Sequence, residues 1–381
     1  VKKLVENKKP FLNIPPGKFI QEELESRGWR QEDLTDIIGM TPKSINLLVN
    51  TKQAITPETA VLLGRAFDQS PQYWMNLETN YRLRLQETGP RQEMAEIKGL
   101  VYKYMPVLEM IKKGWLCKKD NPDDFIKEIT IFWNIQKLDF TFFEKTLMPQ
   151  FRKSSAYQSF NNNYALSWYR MAQKCASLYS VPSYNKENLE VLSGQIPEFT
   201  IREDGISEFI SSLNQCGVKF FVLSHLQKTY VDGASFIDNG NPVVVYTARY
   251  GRLDNFWFTM AHEVAHILNH IENLTDFYID SLDQKSANKI ENEADKIAAS
   301  YIRAMKIKTI FRPRVGYITR EMVLEAATRL HVHPGIIVGV LQYNEMLPYR
   351  NLNEYKEPVI LKIPETCLAD NRIKEIVACA S

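Results

Sequence analysis

The sequence lacks a paired-cysteine spacing, a long apolar run and an excess of charge of either sign, and each absence narrows what the chain can be. Its five cysteines, Cys117, Cys175, Cys216, Cys367 and Cys379, are odd in number and scattered, with no CxxC pair. Neither a disulfide framework nor a thiolate metal site is expected, and the thiols read as free groups in a reducing compartment. No apolar stretch approaches the roughly 20 residues that a membrane-spanning helix needs. The basic start Val1-Lys2-Lys3-Leu4-Val5-Glu6 is not followed by an apolar segment, so no signal peptide and a cytoplasmic location are expected. The formal net charge is +2, which neither demands nor excludes a nucleic-acid partner, because local basic surface decides that. There is no internal repeat and no low-complexity tract.

What is present is a globular composition, 44% hydrophobic and 24% charged over 381 residues, long enough for two or three domains. The expected fold is mainly α with a small β-sheet. Residues 1–15 mix Lys and Pro and read as a flexible arm. Helical patterns follow at 18–27 and 31–38, closed by Gly28 and Gly39. Three further starts, Thr41-Pro42, Thr56-Pro57 and Ser70-Pro71, each set a capping hydroxyl before a proline at the first helical position. This makes a five-helix unit over 16–88, ended by Thr88-Gly89-Pro90. Residues 89–212 read as a helical connector rich in aromatics. At 218–223, 229–237 and 242–247 the period changes to that of strands, separated by Gly233 and by Asp238-Asn239-Gly240-Asn241. Two long helices are expected near 255–270 and 284–305, then an apolar pair at 319–330 and 334–343. The third domain so outlined is 213–347, with a tail at 348–381.

The densest chemistry is the string His262-Glu263-Val264-Ala265-His266. Residues four apart stand on one helix face, so the two imidazoles can converge on one Zn2+ ion. A glutamate one step after the first histidine then lies beside a metal-bound water, as a zinc hydrolase requires. Met260, Ala261, Val264, Ala265, Ile267 and Leu268 make this helix apolar nearly all round. It should be a core element, in which buried polar groups need a reason. His270 continues the face, but three residues of one helix cannot close a tetrahedral site. The next helix offers Glu291 and Glu293, which flank its stripe of Ile290, Ala294, Ile297, Ala298 and Tyr301. Periodicity does not choose between them.

The segment Phe258-Thr259-Met260-Ala261-His262-Glu263-Val264-Ala265-His266-Ile267-Leu268, with Glu291-Asn292-Glu293-Ala294-Asp295, resembles the ImmA/IrrE family of metallo-endopeptidases. Val231-Asp232-Gly233-Ala234 and Val332-His333-Pro334-Gly335-Ile336-Ile337-Val338-Gly339 are similar to stretches of the same family, so the likeness spans roughly 218–343. The resemblance implies a zincin-like fold, Glu291 as third ligand, Asp295 as support for a ligand histidine, and peptide-bond hydrolysis with Glu263 as base. The strand at 242–247 is the expected site for pairing with an extended substrate. His333 and Tyr301 are candidates for stabilising the oxyanion.

In the N-terminal unit the turn at Gly39 points to a helix-turn-helix, with its second helix starting at Gln31 and a recognition helix over 42–50. Ile45, Leu48 and Val49 form the buried set. Candidate DNA contacts are Gln31, Lys43, Ser44, Asn46, Asn50, Thr51 and Lys52. Residues 16–85 resemble HigA-type antitoxins of the XRE, or lambda-repressor-like, family through Gly17-Lys18-Phe19-Ile20-Gln21-Glu22-Glu23-Leu24, Gly39-Met40-Thr41-Pro42-Lys43-Ser44-Ile45-Asn46, Ile55-Thr56-Pro57-Glu58-Thr59-Ala60 and Ser70-Pro71-Gln72-Tyr73-Trp74-Met75-Asn76-Leu77. Leu47 departs from the polar or basic residue that many relatives carry there. The resemblances imply an antitoxin-like repressor that binds operator DNA as a homodimer. They also imply a zinc endopeptidase domain that cleaves a protein substrate or meets a toxin of the RelE or HigB kind. Competing expectations make the zinc domain a non-catalytic toxin-binding scaffold, or make the helix-turn-helix a protein-docking unit of a protease.

Overall fold

The structure, a computed structural model, describes residues 13–86, 90–138, 161–271, 277–280 and 289–377. The arm at 1–12, the break at 87–89 and the start of the expected helix at 284–288 lie outside the described residues. The chain forms two compact units, Val1–Lys98 and Gly99–Ser381.

The first unit holds α1 (Pro16–Arg27), α2 (Gln31–Ile38), α3 (Pro42–Val49), α4 (Pro57–Phe67) and α5 (Pro71–Gln86). The hydroxyl-proline starts work as capping chemistry requires: Thr41 accepts from the Ser44 amide at 3.2 Å and Thr56 from the Thr59 amide at 3.3 Å. Gly39 ends α2 with φ 69°, a left-handed turn that glycine adopts without strain. One face of each helix meets in a core that includes Ile20, Leu24, Leu34, Ile45, Leu48, Leu63, Phe67 and Trp74. Gly17 is needed where α1 crosses the end of α3, since a Cβ there would lie 2.1 Å from the Val49 carbonyl oxygen.

The division between the units falls within α6 (Pro90–Tyr104). There follow α7 (Val107–Lys112), α8 (Pro122–Trp133), α9 (Asn162–Ala176), α10 (Lys186–Gly194), α11 (Ile196–Thr200) and α12 (Gly205–Gln215). The sheet comprises β1 (Lys219–Val222), β2 (Gly233–Asp238), β3 (Asn241–Tyr246) and β4 (Phe277–Asp280), in the order β1-β3-β2-β4. β1 runs parallel to β3, and β2 is antiparallel to both β3 and β4. β3 is therefore paired on both sides and has no free edge for a substrate strand, which corrects the expectation for 242–247. β4 was not foreseen.

Against the sheet lies α13 (Leu253–Asn269), followed by α14 (Lys289–Tyr301), α15 (Ala304–Phe311), α16 (Arg320–Leu330) and α17 (Pro334–Tyr343). α14 stops four residues short of the expected end at 305. Arg303 turns left-handed with φ 62°, and a separate helix begins. One hydrophobic cluster runs from Leu189 and Leu213 through Val264 and Ala298 to Val359, Ile363 and Cys367. The expected limits at 212 and 347 both cut through it, because the end of the connector and the tail bury their apolar faces in the same core as the sheet and α13. The tail is also tied by hydrogen bonds to the start of α13: the Leu253 amide donates to the Glu357 carbonyl, and the Val359 amide to that of Gly251, both at 2.9 Å. Cys175, Cys216 and Cys367 are buried free thiols. Cys117, however, is disulfide-bonded, a pairing made by folding that spacing along the chain does not report. Among the described residues no helix is long and apolar enough to cross a membrane.

Candidate functional site

α13 is buried almost all round, with fourteen of its residues inside, His262, Glu263 and His266 among them. Burying three polar side chains on one core helix is costly unless they serve each other or a ligand. The His262 and His266 Nε2 atoms face one another at 3.0 Å. Glu291 on α14 brings its Oε2 to 3.4 Å from each of them. Three donor atoms thus form a triangle with sides of 3.0, 3.4 and 3.4 Å. Tetrahedral zinc with bonds of 2.0–2.2 Å separates neighbouring ligand atoms by about 3.3 Å, so the donor set has the size and chemistry that such an ion requires.

The helix pair makes this possible because Ala294 and Ala298 are fully buried on α14 and let it come close to α13. Glu291 precedes Ala294 by three residues and lies on that inward face, its side chain 17% exposed. Glu293 is rotated outward, 65% exposed, and reaches only His270 at 3.6 Å. Geometry thus separates two glutamates that periodicity left equal. Asp295, four residues after Glu291, places its Oδ1 3.0 Å from the His262 Nδ1, while the His266 Nδ1 meets the His270 Nδ1 at 3.1 Å. Each Nε2 therefore points inward, with Asp295 close behind the His262 Nδ1 and His270 behind the His266 Nδ1. Burial, with the nearby His262 and His270, holds His266 below the ordinary imidazole value, at about 4. That keeps it the neutral donor a metal needs.

Glu263 is fully buried on the side of α13 facing β2. A Cβ on Gly233 would lie 2.3 Å from the Glu263 Oε1 and 2.7 Å from the Thr259 Cγ2. The glycine is thus the space in which the carboxylate sits. The quoted Val231-Asp232-Gly233-Ala234 contains this residue, but only the strand's approach to the helix reveals what it does. Phe258 stands between the rings of His262 at 6.2 Å and Tyr343 at 6.4 Å, an aromatic wall with no signal in the sequence. His333 is engaged elsewhere, its Nδ1 accepting from the Gly335 amide at 3.0 Å as the cap of α17. Tyr301 ends α14 and packs, half-buried, on the core.

In the first unit Ile45 and Leu48 are buried and Val49 is half-buried. Lys43, Asn46, Asn50 and Lys52 are exposed, and Gln31, Ser44 and Thr51 half-exposed. Three of these are already engaged locally: the Ser44 hydroxyl is 2.9 Å from that of Thr41, and the Asn50 side-chain amide donates to the Asn46 carbonyl at 2.8 Å and to the Asn46 Oδ1 at 3.3 Å. Lys43 on α3 and Lys52 just beyond it are the exposed cations of this face.

The two units define a class: a helix-turn-helix protein carrying a buried two-histidine, one-carboxylate cluster. Residues 20–74 match the helix-turn-helix family model, and residues 214–338 that of the IrrE N-terminal-like domain, a peptidase family. An uncharacterized HTH-type transcriptional regulator of Haemophilus influenzae is 33% identical over 91 residues, 23% of this chain and 85% of that protein. Virulence-associated protein I of Dichelobacter nodosus is 35% identical over 75 residues, 19% of this chain and 69% of its own length. The HTH-type transcriptional regulator YddM of Escherichia coli is 32% identical over 68 residues, 18% of this chain and 72% of its own length. The chain belongs to the family of HTH-type transcriptional regulators and joins to that DNA-binding unit an IrrE-like peptidase-family domain.

Proposed function

We propose that the protein is an antitoxin-like repressor whose second unit is a zinc-dependent endopeptidase acting on a regulator or partner protein. The observation that carries this reading is the triangle of His262, His266 and Glu291 with Glu263 buried beside it. Two neutral imidazoles and one carboxylate carry a single negative charge, so a divalent ion bound there keeps net positive charge. Bound zinc would supply the Lewis acid that polarises the scissile carbonyl and acidifies a water. The chain's own residues do the rest. Glu263 takes the proton from the attacking water and returns it to the departing amine. Asp295 and His270 hold the ligand rings in one tautomer.

On the DNA side, Lys43 and Lys52 neutralise operator phosphates and Asn46 reads a base edge from the major groove. A homodimer on a two-fold operator suits one recognition helix per protomer. The toxin partner of the RelE or HigB kind and the cytoplasmic setting belong to the same reading.

Metal analysis and turnover of an internally quenched peptide library test it together. Wild type and Glu263→Gln should each retain one zinc, with hydrolysis lost only in the variant. Glu291→Ala should lose the metal and Glu293→Ala should keep it. Loss of zinc in Glu293→Ala alone, or undiminished hydrolysis in Glu263→Gln, would overturn the assignment.

A further inference from the structure

Between Asp295 and Glu321 the chain carries seven cations and no acid, although over its whole length the two signs nearly balance, 47 against 45. The stretch runs from α14 through α15 and a short 3-10 turn at Arg312–Arg314 to the start of α16. Ala304, Ile307 and Phe311 bury one side of α15, which turns its other side to solvent. On that side Lys306 and Arg312 are exposed and Lys308 half-exposed. Lys308 and Arg312 are four apart, a spacing at which like charges repel instead of bracing the helix.

Beyond α15 the Tyr317 amide donates to the Arg314 carbonyl at 3.0 Å. The turn so closed has Val315 at φ -59° and ψ 130° and Gly316 at φ 89°, a type II geometry in which glycine takes the left-handed position. It brings an exposed Arg314 beside Tyr317, which is 75% exposed.

None of Lys306, Lys308, Arg312 and Arg314 meets a carboxylate among the described residues. The flanking cations are engaged inside the protein, Arg303 donating to the Leu330 carbonyl and Arg320 to the Tyr355 hydroxyl at 2.8 Å. Guanidinium, ammonium and tyrosine hydroxyl groups are the donors that hold nucleic-acid phosphates. The recognition helix and its end present only Lys43 and Lys52 as cations, few for a duplex carrying one negative charge per about 1.7 Å. A lipid surface fits less well, because the apolar side of α15 is committed to the core.

We propose that this stretch is a second DNA-binding surface, which holds the phosphate backbone of duplex DNA without reading its bases. It rests on the DNA-binding role of the helix-turn-helix unit. One chain tethers the two, so a duplex engaged by either is at high local concentration for the other. The four cations neutralise phosphates, and Tyr317 donates to one from the turn.

Fluorescence anisotropy of a labelled random duplex of about 40 base pairs, titrated with the full chain at several salt concentrations, tests this. The quadruple variant Lys306→Gln, Lys308→Gln, Arg312→Gln, Arg314→Gln should lower the slope of log affinity against log salt by about 2–4 and weaken low-salt binding at least about tenfold. Arg312→Gln with Arg314→Gln alone, past the last turn of α15, should lower the slope by about 1–2. A variant of the same net charge as the quadruple one, Lys112→Gln, Lys118→Gln, Lys186→Gln, Lys374→Gln, with all four positions exposed, should keep the wild-type slope. Unchanged slopes in the first two variants, while wild type binds, would overturn this surface and leave the helix-turn-helix reading standing. No duplex binding by wild type at low salt would remove both. Equal loss in the charge-matched variant would overturn the proposal, as would lost retention on phosphatidylserine vesicles without any change on DNA.

Discussion

Gly233 decides more about Glu263 than any neighbour in the chain. The methyl group of an alanine there would occupy space 2.3 Å from the Glu263 Oε1, and neither the strand backbone nor the buried helix can retreat. Gly233→Ala should destabilise the protein by about 1–3 kcal/mol and lower peptide hydrolysis at least about tenfold by moving the base. Zinc content should be unchanged, because no ligand is touched; melting, turnover and metal analysis on one preparation separate these effects. At the same scale His266, held at about 4 by burial, links stability to pH in the metal-free protein. The unfolded chain takes up its proton near pH 6.5, whereas the folded chain resists until about 4. This contribution is therefore complete above pH 6.5 and is lost as the pH falls toward 4. The urea midpoint of chelator-treated protein should drop across that window.

At the scale of elements, the helices of the first unit were legible because their punctuation is local. Thr41 accepts from the Ser44 amide, and Pro42 and Gly39 act within a few residues of themselves. Thr41→Ala should cost about 1 kcal/mol of stability and loosen the start of α3, which chemical denaturation of residues 13–86 within the full chain would read as a lower first transition. The pair α13 and α14 was legible in part. The apolar ring around His262 announces a core helix, and i, i+4 spacing puts Glu291 and Asp295 on one face. Which of Glu291 and Glu293 faces inward depends on how α14 is rotated against α13, and the buried Ala294 and Ala298 set that rotation. The sheet was least legible. The three runs before α13 carry the composition of strands, yet nothing in the run at 242–247 says that β1 and β2 will cover both its edges.

Over the whole molecule, the tail changes most in meaning. Interrupted by prolines and charges, 348–381 has no periodicity to read, yet Val359, Ile363 and Cys367 are 0%, 4% and 6% exposed in the core of the second unit. The Lys356 ammonium lies 3.0 Å from Asp254 in the first turn of α13. The Gln342 amide donates to the Asn351 carbonyl at 2.8 Å from a fully buried position. Truncation after residue 347 should therefore abolish the cooperative melt of the second unit and its zinc binding together, while leaving the first unit folded. A truncated chain that still binds one zinc and melts cooperatively would show the tail to be dispensable.

The sequence by itself determined the residue chemistry and everything set within one helix: the two histidines four apart, the glutamate beside the first of them, the caps, and the helix-turn-helix spacing. These are short-range matters, governed by a 3.6-residue period and by hydrogen bonds that close over three or four residues. The tertiary structure decided what depends on the rotation and pairing of elements far apart in the chain. It set Glu291 inward, Gly233 against Glu263, β3 between two strands, and the tail inside the core. Those outcomes follow from which apolar faces can be buried together, a property of the packed whole that no local pattern carries.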